Sequence, residues 1–217
     1  MEFIQMLLHI DDVLKDIIKQ YGTLTYLILF AIIFTETGVV IMPFLPGDSL
    51  LFAAGALAAL PDSPLNPVVL FFLLCVAAIV GDTVNYWIGE KLGDRAYRGE
   101  IKFIKKEYIE QTHAFFEKHG GKTIFLARFV PIVRTFAPFV AGASKMSYGY
   151  FFRYNVFGGI VWVGIFLFAG YFFGNIPFVQ ANFELVIVAI LVLSVVPMIY
   201  EWIKARMEAK KKQQQAG

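Results

Sequence analysis

The sequence predicts an all-α integral membrane protein. It reads as an inverted repeat of two proline-broken re-entrant hairpins, plus about three full transmembrane helices and interfacial amphipathic helices. Three observations predict this. First, the 217 residues are 58% hydrophobic and 17% charged, against about 45–50% and about 25% for a soluble domain. Tyr154 to Phe183 and Ser63 to Gly81 carry no charge at all, and a helical span needs roughly 20 residues. Apolar residues do not alternate with polar ones along these runs, which excludes a barrel. Second, Glu36, Asp48, Arg128 and Arg134 lie in apolar runs beside prolines. An arginine at the centre of a membrane helix costs about 2.5–3.5 kcal/mol even on the lenient insertion scale. Such charges imply a polar cavity, and broken backbone at membrane depth survives only where protein or water satisfies it. Third, the chain divides into two halves of similar pattern.

Residues 1–21 form an amphipathic segment, with Met6, Leu7, Ile10, Leu14, Ile17 and Ile18 at helical spacing. It suits the membrane surface. Its early acids and lack of a basic start argue against a cleavable signal peptide. Residues 22–93 are the first repeat. Pro43, Pro46 and Gly47 interrupt the apolar run, because proline removes a helical hydrogen bond and restricts the residue before it. A second helix is expected to begin at Asp48 or Ser49, both good caps. Its apolar stretch, Leu50 to Leu60, is short for a span and suits a re-entrant segment. A true span over 66–92 follows.

Residues 94–121 read as a cytoplasmic amphipathic linker, with Ile101, Ile104, Tyr108 and Phe115 on one stripe and Gly120–Gly121 as its stop. Residues 122–175 are the second repeat: a hairpin broken at Pro131 and Pro138, then a span over 150–174. Pro177 breaks the next turn, 183–203 is the last span, and 204–217 is a basic tail. Each hairpin ends in small residues, Ala53 to Ala56 and Val140 to Ala143. Each following span ends in Gly-x-x-x-Gly, Gly89 to Gly93 and Gly170 to Gly174. That spacing alone is common in membrane helices. The stretch Asp94 to Lys122 carries seven Lys/Arg, and the tail carries Lys204, Arg206, Lys210, Lys211 and Lys212. By the positive-inside rule both are cytoplasmic. The second hairpin then opens inside and the first outside.

Arg128 and Arg134 are six apart, which on an unbroken helix separates them by about 120°. The break at Pro131 lets both point at one place. Arginine keeps its proton and suits bidentate contact with phosphate or carboxylate. The pair therefore reads as an anion clamp, or as a structural partner of Glu36 and Asp48. The two readings are compatible, with the acids holding the arginines until substrate arrives. Glu36 or Asp48 would carry a coupling proton if it titrates; the alternative for Asp48 is a plain helix cap. Asp82 and Tyr86 are secondary candidates. Asp82 suits a structural partner of an arginine as well as a transport role, and Tyr86 and Trp87 suit the interfacial aromatic belt.

Catalysis is poorly supported. His9, His113 and His119 lie outside the apolar runs, and no two are spaced as a metal pair. No phosphate-cradling glycine loop is present. The lone Cys75 excludes a disulfide framework or thiol metal cluster. Neither a cofactor nor a metal is expected. The basic runs flank spans, which favours topology over nucleic acid.

The residues Glu36-Thr37-Gly38, Pro43 to Ser49 (PFLPGDS), Gly81-Asp82 with Tyr86 and Gly89, and Arg128-Phe129-x-Pro131-x-x-Arg134-Thr135-Phe136-x-Pro138 with Ala141-Gly142 resemble the bacterial DedA family, also called SNARE-associated or VTT-domain proteins. The resemblance runs from about residue 20 to about 205. It implies two opposed re-entrant hairpins in the inner membrane and lipid movement across the bilayer. Undecaprenyl phosphate and phospholipids such as phosphatidylethanolamine are the substrates it implies, often with dependence on proton motive force. The family's essential acids and arginines fall on Glu36, Asp48, Arg128 and Arg134. The expected function is a multi-pass lipid transporter or flippase with its C-terminus in the cytoplasm, taking a lipid and protons as partners. A homo-oligomer stays open. The alternatives are a proton-coupled ion or small-solute antiporter and a non-transporting membrane scaffold.

Overall fold

The computed structural model describes residues 22–39, 47–61, 63–98, 100 and 106–182. Every regular element among them is helical: α1 Thr23–Gly38, α2 Gly47–Ala58, α3 Pro67–Tyr97, α4 Lys106–His119, α5 Thr123–Ala127, α6 Pro131–Ala143, α7 Tyr148–Gly174 and α8 Pro177–Ala181, with a single 3-10 turn at Gly120–Lys122. The amphipathic segment 1–21, Pro43, Pro46, the span 183–203 and the tail 204–217 lie outside the described residues.

Local chemistry explains the helix ends. Asn66 Oδ1 accepts the N–H groups of Val68 and Val69 at 2.9 and 3.2 Å, which caps α3 ahead of Pro67. Val130 and Ile176 are extended before Pro131 and Pro177, as the residue before a proline must be. Helix α4 stops where Gly120 takes φ +59°, a conformation cheap only for glycine.

One expectation needs correction. Pro138 does not break the second hairpin; it lies inside α6. A proline there costs one hydrogen bond, and the burial of Phe136, Ala137, Phe139 and Val140 around it holds the helix together. The break lies at residues 128–130 alone. Helix α3 itself runs on to Tyr97, while its apolar, membrane-length part ends at Gly93.

Helices α3 and α7 are each long and apolar enough to cross a membrane. They run antiparallel: Thr83 meets Asn155, Ile79 meets Gly159, and Phe71 meets Phe168. Val68, Val69, Phe72, Val76 and Val80 on α3, and Phe157, Ile160, Ile165 and Phe172 on α7, are exposed. Such apolar faces suit lipid contact far better than water.

The short helices pack crosswise between repeats. Helix α6 runs parallel to α3, with Thr135 against Asn85, Phe139 against Gly89 and Ala143 against Gly93. Helix α2 runs parallel to α7, with Asp48 against Trp162, Phe52 against Gly170 and Ala56 against Gly174. Since α3 and α7 oppose each other, α2 and α6 leave the centre in opposite directions. The two Gly-x-x-x-Gly stretches are thus the surfaces on which each repeat receives the other's short helix.

At Gly89, Gly170 and Gly174 the nearest atom is a backbone carbonyl oxygen of the facing helix, so these contacts admit no side chain. A methyl group on Gly142 would overlap the Tyr86 carbonyl oxygen, and one on Gly55 the Leu167 carbonyl oxygen. Gly142→Val and Gly55→Val are each expected to lose at least about 1–3 kcal/mol. Thermal unfolding in detergent checks this, with Gly149→Val, which faces open space, as the unaffected comparison.

Candidate functional site

The centre of the molecule is where the broken ends meet. Helix α1 ends at Gly38, α2 begins at Gly47, and α6 begins at Pro131. Glu36 sits in the last turn of α1, Asp48 in the first turn of α2, and Arg134 in the first turn of α6. Arg128 lies in the break between α5 and α6. Asp82 projects from the middle of α3.

The charges form two groups. In the first, Arg134 Nη1 donates to Asp48 Oδ1 at 2.6 Å, and Arg134 Nη2 donates to Glu36 Oε1. Glu36 Oε1 also accepts the Gly47 N–H at 3.2 Å. A side chain on Gly47 would overlap the Glu36 carboxylate, so glycine is what lets that backbone approach. In the second group, Arg128 Nη2 donates to Asp82 Oδ2 and to Asn155 Oδ1, each at 2.6 Å. Asn155 Nδ2 in turn donates to the Ile79 carbonyl at 3.0 Å.

Trp162 joins the groups. Its Nε1–H donates to Asp48 Oδ1 at 2.8 Å. The guanidinium carbons of Arg128 and Arg134 lie 5.7 and 5.3 Å from its ring centroid, within cation–π range. Asn85, fully buried, braces the centre: its Nδ2 donates to the Thr37 carbonyl at 3.1 Å and the Thr135 carbonyl at 2.9 Å. One amide therefore fixes α1 next to Glu36 and α6 next to Arg134.

The groups differ in access. The Arg128 and Asp82 side chains are 2% and 7% exposed. Those of Arg134 and Asp48 are 13% and 45% exposed. The first group has an open side and the second is sealed. Three carboxylates face two guanidiniums, and Glu36 Oε2 is buried with no hydrogen-bond partner among the described residues.

Glu36, Asp48, Arg128 and Arg134 thus converge, as the broken helices require. The reading of Asp48 as only a helix cap does not describe it, since its carboxylate takes Arg134 and Trp162. Arg128 pairs with Asp82 rather than with Glu36 or Asp48. Tyr86 stands apart from the charges. It is buried, stacks on Phe151 and donates its hydroxyl to the Met146 carbonyl, so it does not belong to an aromatic belt; Trp87 is exposed. Asn85, Asn155 and Trp162 are not among the residues that the sequence singles out. Trp162 had a usable signal: a tryptophan in mid-span, away from the interfaces that tryptophan favours.

A family model for the VTT domain matches residues 45–172. The chain is 54% identical over 207 residues to Protein DedA of Escherichia coli (strain K12), covering 95% of this chain and 94% of that protein. It is 45% identical over 170 residues to the uncharacterized membrane protein Rv0364 of Mycobacterium tuberculosis (strain ATCC 25618 / H37Rv), covering 78% and 74%. It is 34% identical over 176 residues to the inner membrane protein YqjA of Escherichia coli (strain K12), covering 81% and 79%. No solved structure matches the chain.

Proposed function

The chain belongs to the DedA family of membrane proteins, with a VTT domain as its centre, and from that premise we propose that it moves a phosphate-bearing lipid across the bacterial inner membrane. The substrate would be undecaprenyl phosphate or a phospholipid such as phosphatidylethanolamine. One observation carries the reading: a guanidinium held by two carboxylates and an indole face, beside the half-exposed Asp48, where two oppositely directed short helices meet. A lipid phosphate is the anion that can reach such a place from the bilayer. It would exchange with Asp48 for Arg134, because arginine offers phosphate and carboxylate the same planar fork. Arg128 would supply fixed positive charge behind it.

The excess of carboxylates over guanidiniums supports proton coupling. Neutralising one acid, Glu36 or Asp48, would balance the cluster and free a guanidinium for phosphate. Each elementary charge crossing the field is worth about 2.3 kcal/mol per 100 mV, so one or two protons would drive a substantial lipid gradient. Lipids retained by the purified protein test the substrate. Mass spectrometry is expected to find a phosphate-bearing lipid enriched over the membrane average, and depleted in Arg134→Ala. Lipids in the membrane's own proportions would contradict it and favour an ion antiporter or a scaffold.

The same reading makes both hairpins re-entrant. The opposite directions of α2 and α6 support it, since each short helix would return to the side its hairpin entered. Cysteine labelling in intact cells is expected to reach residues beside Pro61 from outside and residues beside Lys106 only from inside. Labelling both from one side would sink the inverted arrangement.

A further inference from the structure

Two arginines share one buried centre, and neither can shed its proton to relieve the repulsion. Something between them must offset it. The carboxylates do so at the guanidinium ends, but each arginine has its own: Asp82 for Arg128, Glu36 and Asp48 for Arg134. The group that both guanidiniums touch is the indole of Trp162. It is fully buried in the middle of α7. A ring face carries negative potential and attracts cations, tryptophan most of all and more strongly when water is excluded.

The other end of the indole bears on the acid. Asp48 Oδ1 accepts from Arg134 Nη1 and from Trp162 Nε1 together. When Arg134 turns to another anion, Asp48 loses its cation. Asp48 is partly exposed, and one N–H stays in place on the same oxygen. The arginine likewise keeps the ring beneath it.

We propose that Trp162 is a positioning residue of the lipid-phosphate site. Its ring face holds Arg128 and Arg134 within one buried cluster. Its N–H retains Asp48 while Arg134 exchanges that carboxylate for phosphate. The second half rests on the lipid-phosphate reading; the first does not.

A plain packing role is the competing account, since Trp162 also packs among Ile33, Leu51, Leu74 and Leu167 in the core. Fluorination separates the two. It drains the ring face of negative charge, barely changes its shape and leaves the N–H in place. In a Trp87→Phe, Trp202→Phe background Trp162 is the one tryptophan left in the chain. Biosynthetic mono-, di- and trifluorotryptophan then form a graded series at that position.

Two readouts are taken on the detergent-purified chain: the thermal midpoint, and binding of a short-chain polyprenyl phosphate. The midpoint is expected to fall stepwise along the series, with binding weakened roughly two- to tenfold from first to last. Trp162→Phe, which keeps a ring and loses the N–H, is expected to fold and to bind the same probe at least about tenfold more weakly. A midpoint unchanged across the series overturns the ring role and leaves packing. Binding by Trp162→Phe as tight as by the background overturns the N–H role. A background protein that binds no polyprenyl phosphate sinks the lipid reading and the N–H role with it, while a stepwise midpoint still upholds the ring role.

Discussion

Arg128→Ala is expected to cost about 3–5 kcal/mol of stability, because it leaves the Asp82 carboxylate buried without its cation. Asp82 is nearly sealed from solvent, and Arg128 is its ion-pair partner at 2.6 Å. The same guanidinium nitrogen also satisfies Asn155 Oδ1, so a second buried acceptor is stranded. Arg128→Ala combined with Asp82→Leu removes both charges together. The double variant is expected to recover much of the loss, since replacing a buried pair by apolar groups is often neutral. Unfolding in mixed micelles checks both. Equal losses for the single and double variants would mean that Arg128 contributes packing, not charge balance.

Arg134→Ala is expected to act in the opposite sense, with a smaller loss of stability and a larger loss of function. Its removal leaves Glu36 with the Gly47 N–H and leaves Asp48 with the Trp162 N–H. Asp48 is also partly exposed, so each acid keeps a donor. What goes is the guanidinium on the open side. A hydrogen bond to a charged group is worth about 1.5–3 kcal/mol, so lipid-phosphate binding is expected to weaken by at least about tenfold. Arg134→Lys keeps the charge without the fork and is expected to fall between. Binding to a short-chain polyprenyl phosphate, measured on variants that still unfold cooperatively, decides it. Parental affinity in Arg134→Ala would make Arg134 structural.

The difference between the two arginines was not legible in the sequence. Both stand in apolar runs beside Pro131, and both violate the cost of charge in a membrane equally. That cost is why Glu36, Asp48, Arg128 and Arg134 stand out at all. Pairing is another matter. Arg128 reaches Asp82 because α5 lies along α7 and α7 crosses α3, a relation set by helix packing and not by spacing along the chain. The neutral partners were harder still. Asn85 and Asn155 carry no charge to betray them, yet one braces two helix ends and the other completes the Arg128 network.

The glycines show how a weak pattern gains meaning. Gly89–Gly93 and Gly170–Gly174 marked a similarity between halves, and nothing in the spacing named their partners. Those partners are Phe139 and Ala143 for the first, Phe52 and Ala56 for the second. Pro138 failed as a breaker for a related reason. Proline weakens a helix locally, but burial on either side of Pro138 outweighs one missing bond.

Transport itself is the property that a lipid phosphate passing Arg134 would produce. Proteoliposomes holding the purified chain, loaded with headgroup-labelled phosphatidylethanolamine or with polyprenyl phosphate, and quenched from outside, test it most directly. Label is expected to become inaccessible or exposed faster with the parent than with empty vesicles, and Arg134→Ala is expected to return the rate to that of empty vesicles. Equal rates for parent, Arg134→Ala and empty vesicles with both lipids would contradict it.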